Sequence, residues 1–299
     1  MAGEPFALPP RAAGPPGGGR RRRRPVKPCD APLAAPAGVK AVAVRRRRGA
    51  ACHDTSDWVA EEVPVALEYN GVSHAVMLAS PVDLEDFALG FSLTEDIVGS
   101  PADVRDIEVV EAPLGITVRL EVASACFVRL KERRRSLAGR TGCGLCGAES
   151  LPQAVRRPAP LRSDVRFAAV AVQRALDALQ AHQPLHAASG AAHAAAFADA
   201  DGRLLLVRED VGRHNALDKL AGAMAAGRVE GGDGFIAVTS RASYEMAGKT
   251  VRAGVPLLAA VSGVTALAIE LAEEAGLCLA GFARGEQLNL YTHPERIRP

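Results

Sequence analysis

Two cysteines, Cys143 and Cys146, sit in Thr141-Gly142-Cys143-Gly144-Leu145-Cys146-Gly147. Glycine flanks both sulfurs on every side but that of Leu145, so the segment can bend sharply. A mostly basic run precedes it, from Arg129 through Arg133, Arg134 and Arg135 to Arg140. Positive charge favours thiolate, the reactive form of cysteine. The first expectation is two reactive sulfurs on a mobile loop.

Competing chemistries need partners that this loop lacks. Structural zinc takes four ligands, usually from two close-spaced pairs. Here the missing ligands would have to be the distant His193 or His214, or cysteines of a second subunit. Zinc deaminases carry H-x-E followed by P-C-x-x-C. The nearest phrase, His193-Ala194-Ala195, lacks the glutamate and follows the cysteines instead of preceding them. A thioredoxin-like centre opens a helix, which these glycines disfavour. Residues 142–147 also spell GxGxxG, but an Arg-rich segment precedes them and prolines follow, where a dinucleotide site needs a strand and a helix. Gly248-Lys249-Thr250 resembles the end of a phosphate loop, yet Ser243 stands where that loop needs glycine, and the segment reads as helix interior.

Two further clusters could meet an anion. Arg208-Glu209-Asp210-Val211-Gly212-Arg213-His214-Asn215-Ala216-Leu217-Asp218-Lys219 lies after an apolar strand and before a helix. In an α/β sheet that is the carboxyl end of a strand, where ligands bind. The same residues could equally build a salt-bridged turn with an Asp or Asn cap. Phe282-Ala283-Arg284-Gly285-Glu286-Gln287 also follows an apolar strand, and an arginine beside a glycine lets guanidinium and backbone approach an anion together. Taken alone, the hexapeptide does not outweigh an ordinary exposed turn.

The elements that carry these clusters are legible from period and turn chemistry. Val63, Val65, Leu67 and Tyr69 alternate with more polar neighbours, Asn70-Gly71 marks a tight turn, and residues 72–78 return as the partner strand. Ser80-Pro81 predicts a helix start, with Ser80 as cap, and Gly99 its end. Residues 107–111 and 116–122 read as strands joined at Pro113-Leu114-Gly115, in a half-exposed antiparallel sheet. A helix is predicted from Val165 to Leu179. Strands are expected at 194–197, 204–207, 235–239, 257–261 and 277–282, with helices at 215–226, 243–253 and 265–275. Short apolar strands alternating with helices imply an α/β body whose sheet is at least partly parallel.

The chain has 299 residues, 48% hydrophobic but only 4% aromatic, so its core must be built of small aliphatics. Residues 1–50 carry a net charge of +10 and the remainder −8. The Pro/Gly/Arg-rich residues 1–54 are expected to be a disordered, solvated leader, since no aromatics interleave its arginines as a nucleic-acid arm would have them. Order should begin near Trp58. The expected organisation is a leader over 1–54, a β-rich N-terminal domain with one helix over 55–140, a mobile cysteine loop over 141–160 and an α/β domain over 161–299. Six cysteines with one close pair do not make a disulfide framework, no apolar run is long enough to span a bilayer, and Arg20–Arg24 is followed by Pro25-Val26-Lys27-Pro28, not by an apolar signal segment. A cytoplasmic address is the expectation.

From about Asp57 onward the chain resembles the formate dehydrogenase accessory sulfurtransferases, the FdhD family. The resemblance is carried by Thr141–Gly147, Arg208–Lys219, Thr239–Met246 and Gly281–Thr292 with Tyr291–Ile297, and at the front by Glu62-Val63-Pro64-Val65, Asn70-Gly71 and Ser80–Glu95. Glu95-Asp96 stands where the family usually has Glu-Gly, and Ala191 where it has a second glycine. The resemblance implies a cytidine-deaminase-like three-layer α/β domain preceded by a smaller, mainly antiparallel β-rich domain. It implies a sulfur carrier that takes sulfur as a persulfide from a cysteine desulfurase. The sulfur passes to the molybdenum bis(molybdopterin guanine dinucleotide) cofactor, bound as substrate, before insertion into formate dehydrogenase. By motif position Cys143 carries the persulfide and Cys146 is its companion. Phe282, Ala283, Arg284, Gly285, Glu286 and Gln287 match the cofactor-binding stretch, to which Arg213 and His214 are added as candidates from their chemistry. A homodimer is implied, with no metal of its own, no nucleic-acid partner and no membrane. The alternative is a non-catalytic zinc-binding dimeric module using the cysteine pairs.

Overall fold

Asn70 and Gly71 both adopt positive φ, 46° and 77°, the backbone that their sequence predicts for a tight hairpin turn. They join β3 (Val63–Tyr69) to β4 (Val72–Ala79) in a computed structural model that describes residues 35–135 and 157–299. Residues 1–34 of the leader, Cys143, Cys146 and most of the 141–160 loop lie outside the described residues.

Strands β5 (Val104–Ala112) and β6 (Gly115–Val122) complete a four-stranded sheet in the order β4-β3-β6-β5. The hairpins are antiparallel as expected, but β3 and β6 run parallel at the sheet centre. Asn70 brackets the end of β6: its Nδ2 donates to the Val122 carbonyl at 3.1 Å, and its Oδ1 accepts from the Val122 N–H at 2.8 Å. One face buries Val65, Leu67, Tyr69, Val118 and Leu120 against Phe87, Ala88 and Phe91 of α1 (Leu84–Thr94). The helix α2 (Ser124–Arg135) adds Cys126 and Leu130 to that core.

Two expectations here need correction. Ser80 does not cap α1. The helix begins at Leu84, its N-cap is Asp83 at φ 52°, and it ends at Thr94, ahead of Gly99. Ser80 is drawn instead into contacts with the other half of the molecule, given below. Order also begins well before Trp58. Residues 39–60 form a ribbon, β1 (Val39–Arg48) paired in full with β2 (Ala51–Ala60). The Arg45–Asp54 and Arg46–Asp57 pairs cross it at 2.7 and 3.0 Å. Arginines at strand spacing look like a charged tail when read singly. Their partners lie on the returning strand, which a compositional reading does not see.

The larger sheet has the order β13-β12-β11-β10-β8-β9. It comprises β8 (His193–Asp199), β9 (Leu204–Asp210), β10 (Gly234–Val238), β11 (Leu257–Ala260), β12 (Cys278–Arg284) and β13 (Gln287–Thr292). Strands β10, β11 and β12 are parallel, while β8 and β13 are antiparallel to their neighbours, so the sheet is mixed. Two short strands, β7 (Phe167–Ala168) and β14 (Ile297–Arg298), pair in parallel, which takes the start of the predicted 165–179 helix into extended backbone.

Helices cover both faces of the six-stranded sheet. On one face α3 (Ala169–Leu179) packs Val172, Ala175 and Leu176 over alanine-rich strands. On the other lie α5 (Arg213–Ala226), α6 (Tyr244–Arg252) and α7 (Ala266–Ala275), sharing a core with Phe197, Ile236, Leu258 and Leu279. The short α4 (Pro184–Ser189) lies between α3 and β8 in sequence. The arrangement is the expected one, a β-rich part joined to a three-layer α/β part. Residues 35–299 form one compact unit. No helix among the described residues is long and apolar enough to cross a membrane.

Candidate functional site

Strand directions bring the separated polar motifs to one edge of the six-stranded sheet. His193 opens β8 opposite Asp210 at the end of β9. Val238 at the end of β10 pairs with Ala195 on one side and Ala260 at the end of β11 on the other. Arg284 ends β12 opposite Gln287 at the start of β13. The segments after β9, β10, β11 and β12 therefore share the edge where α/β sheets bind ligands. They carry Arg213 and His214, Arg241 and Val261–Gly263, and Arg284 closes β12 at the same edge.

A cleft of about 690 Å³ opens at this edge, within the size range of small-molecule sites. Gln180, Gln183, His186, His193, Thr239 and Val261 are among its lining residues. The lining mixes amides, imidazoles and a hydroxyl with aliphatic groups, a composition suited to a planar polar ring. The His193 pKa is lowered from its ordinary value, first by burial and then by the nearby Arg213 guanidinium and His186. It is therefore a neutral hydrogen-bonding group near pH 7.

Adjacent carboxylates on β9 hold two walls of this edge. Glu209 accepts the backbone N–H groups of Leu185 at 2.8 Å and His186 at 2.9 Å. It thereby satisfies orphan donors at the start of α4, the helix that carries His186. Burial raises the Glu209 pKa, and these two hydrogen bonds oppose the rise. Asp210 is fully buried and accepts from the Gly212 N–H at 2.7 Å and from Asn215 Nδ2 at 3.0 Å. A Cβ at 212 would approach Asn215 Nδ2 to 2.9 Å, so any larger residue there must displace that amide. The Arg208–Lys219 cluster thus divides: Glu209, Asp210, Asn215, Asp218 and Lys219 are internal fasteners, and Arg213 and His214 are left at the sheet edge.

Arg213 and His214 open α5, where backbone N–H groups and the Arg213 charge both favour an anion. The buried Arg213 Nε has no hydrogen-bond partner among the described residues. Burial and the neighbouring Arg241 lower its pKa from the ordinary value. His214 Nε2 lies 2.8 Å from Glu245 Oε2, a close polar contact without hydrogen-bond alignment. Beside this imidazole the Glu245 carboxyl is held below its usual range.

The 282–287 stretch sits further along the same edge. Phe282 has φ 51°, uncommon for a bulky residue, and lies where the β12–β13 register is interrupted. Its N–H donates to the Ser262 carbonyl at 3.0 Å. Its ring packs over Gly263, whose missing Cβ would lie 3.1 Å from the ring tip. Beyond this irregularity Arg284 Nε donates to the carbonyl of Val261, a cleft residue, at 3.0 Å. Ala283 is buried in the sheet core, while Gly285, Glu286 and Gln287 form the exposed end of the hairpin. Arg284 and Phe282 therefore contact the strand-end segment that helps line the cleft. Ala283 points into the core.

Sequence reasoning missed His186, Gln180 and Gln183 as cleft residues, and considered His193 only as a distant metal ligand. Helix α4 is too short for a periodic signal, and the pairing of β8 with β9 that sets its place is not visible locally. Gly248-Lys249-Thr250 is indeed helix interior: Lys249 Nζ is buried, 2.8 Å from both Asp218 Oδ1 and Glu95 Oε1.

The FdhD/NarQ family model matches residues 60–298. A protein of Variovorax paradoxus (strain S110) named Sulfur carrier protein FdhD is 57% identical over 268 residues, covering 90% of this chain and 96% of its own. A Cupriavidus necator protein of the same name is 57% identical over 273 residues, covering 91% and 95%. Among solved structures, a protein from Desulfotalea psychrophila described as a "putative formate dehydrogenase accessory protein" superposes with a TM-score of 0.68 at 23% identity, covering 87% of this chain and 99% of that one. At that identity the likeness is one of fold.

Proposed function

Because the chain belongs to the FdhD/NarQ family, we propose that it is a sulfur carrier serving formate dehydrogenase. The thiolate of Cys143 attacks the terminal sulfur of a persulfide held by a cysteine desulfurase. A new S–S bond forms on Cys143, and the donor's S–S bond breaks to leave a donor thiolate, with no net oxidation. Basic residues that precede Cys143 in sequence favour its thiolate. The sulfur then passes to molybdenum bis(molybdopterin guanine dinucleotide), bound as substrate, before that cofactor enters formate dehydrogenase. Cys146 is the companion thiol. The reading includes a homodimer and a cytoplasmic address.

The observation that carries this reading is the shared sheet edge: a cleft lined by His186, His193 and Gln183 opens there, Arg284 donates to the carbonyl of the lining residue Val261, and Arg213 is near enough to His193 to lower its pKa. Guanidinium groups suit the cofactor's phosphates, and amides and imidazoles suit the hydrogen-bonding edge of guanine. Intact mass after incubation with a desulfurase and cysteine tests the carrier step. Wild type should gain sulfur and Cys143→Ala should gain none. Persistent labelled sulfur bound to Cys143→Ala would remove that residue from the role.

A further inference from the structure

We propose that Lys219 is a positioning residue for the cleft: through Asp210 it sets the turn that presents Arg213 and His214. The proposal rests on the reading of this edge as the nucleotide-binding site. Lys219 and Asp210 both have zero exposure, and Lys219 Nζ lies 2.7 Å from Asp210 Oδ2. The same Nζ donates to the Ser80 carbonyl at 3.0 Å and to the Glu209 carbonyl at 3.4 Å. Asp210 Oδ2 also accepts the Ser80 N–H at 2.9 Å, and Oδ1 accepts from Gly212 and Asn215. Together these donors hold the carboxylate in one orientation.

The turn between Asp210 and Arg213 is fastened through its backbone. Val211 N–H donates to Ser80 Oγ at 3.1 Å, and Gly212 N–H donates to Asp210. Asn215 Nδ2 donates also to the Leu78 carbonyl at 2.8 Å. Leu78 and Ser80 belong to the β-rich part, at the junction of β4 and α1. The two residues that open α5 at this edge are thus aimed by a latch that joins both parts of the molecule. Lys219 is the group that neutralises the latch's buried carboxylate. Without its ammonium, Asp210 must take a proton or turn toward other donors, and either change loosens the Gly212 and Asn215 bonds.

The molecule supplies its own control. Lys249 makes a second buried pair, with Asp218, the residue next to Lys219 on α5. Its other hydrogen bonds reach Thr94 and Glu95 at the end of α1, away from the turn at 210–214. It has the same chemistry and a comparable burial, and none of its hydrogen bonds reaches the turn.

The test compares Asp210→Asn and the charge-neutral double variant Asp210→Asn/Lys219→Met with Lys249→Met in the full chain. GDP binding is measured by calorimetry, and the imidazole resonances of His214 and His193 are measured by NMR without ligand. We expect both latch variants to weaken GDP binding about tenfold or more and to shift the His214 resonance. Lys249→Met should lower the melting temperature while leaving affinity within about twofold and moving the His214 resonance less than either latch variant does, since it reaches that imidazole only through Glu245. Equal losses of affinity in all variants, or an unmoved His214 resonance in the latch variants, would overturn the proposal. If wild type binds no GDP, the nucleotide reading fails, and the His214 resonance still decides whether Lys219 and Asp210 position the turn. Where Asp210→Asn does not fold, the double variant, which buries no unpaired charge, decides between the two outcomes.

Discussion

At the scale of single residues, the cysteines separate by environment. Cys278 is buried in β12, and burial pushes its thiol up to about 12. Cys126 is buried beneath the β-rich sheet. Neither should react with iodoacetamide at pH 7 in the folded chain, and both should react after denaturation; mass mapping of the adducts checks this. His193 offers a second prediction. Its folded pKa lies below the ordinary value of about 6.5. The unfolded chain then binds more protons in that window, so its contribution to stability is complete above about pH 6.5 and is lost as pH falls below it. Arg213→Ala removes a positive neighbour and should raise the His193 pKa, as read by NMR titration. Arg284→Ala should weaken GDP binding about tenfold or more, since a hydrogen bond to a charged group contributes about 1.5–3 kcal/mol. Unchanged affinity by calorimetry would remove Arg284 from the site.

At the scale of elements, helices α1 and α5 cross through two glycines. A Cβ on Gly90 would strike the Asp218 carbonyl, and one on Gly222 would strike the Asp86 carbonyl. Helix propensity alone would make Gly222→Ala stabilising by about 0.8–1 kcal/mol. The obstacle is backbone, which cannot swing aside like a side chain, so the overpacking cost of about 1–3 kcal/mol should prevail. Thermal unfolding should show a lower melting temperature for Gly222→Ala. The Lys249–Asp218 pair closes the same junction from α6. Burial raises the Asp218 pKa, while Asp218 and Glu95 together outweigh burial at Lys249 and hold its pKa up. Four oxygen contacts within 3.1 Å favour the ionised pair. Lys249→Met leaves a buried carboxylate unpaired, and denaturant unfolding should show a loss of about 3–5 kcal/mol.

At the scale of the whole molecule, the β-rich part and the α/β part are one mechanical unit. The α1–α5 crossing, the Lys249–Glu95 contact, the Lys219–Ser80 hydrogen bond and the Arg208–Asp86 pair at 2.6 Å all tie one to the other. Residues 35–299 should therefore unfold in a single calorimetric transition, and two resolved transitions would refute the coupling. The ribbon of β1 and β2 is the exception in construction. Its ion pairs are exposed and screened by solvent, so Arg45→Ala should leave the melting temperature unchanged.

The sequence alone determined the order of most strands and helices, because alternation at 63–69 and 116–122 and the Asn70-Gly71 turn are local signals. It also marked Arg213, His214 and Arg284 as candidates, since residue type and a strand-end position are local too. It could not show that β3 and β6 run parallel, that the arginines of β1 pair across a ribbon, or that Ser80 leaves its expected cap to grip Asp210. Within Arg208–Lys219 it left ligand contact and salt-bridged turn evenly matched. Only the tertiary structure divided them, because burial and partners over a hundred residues away decide which charges are neutralised internally and which remain to meet a ligand. For the cysteine loop only the sequence speaks: its glycines and sulfurs are legible there, and Cys143 and Cys146 lie outside the described residues.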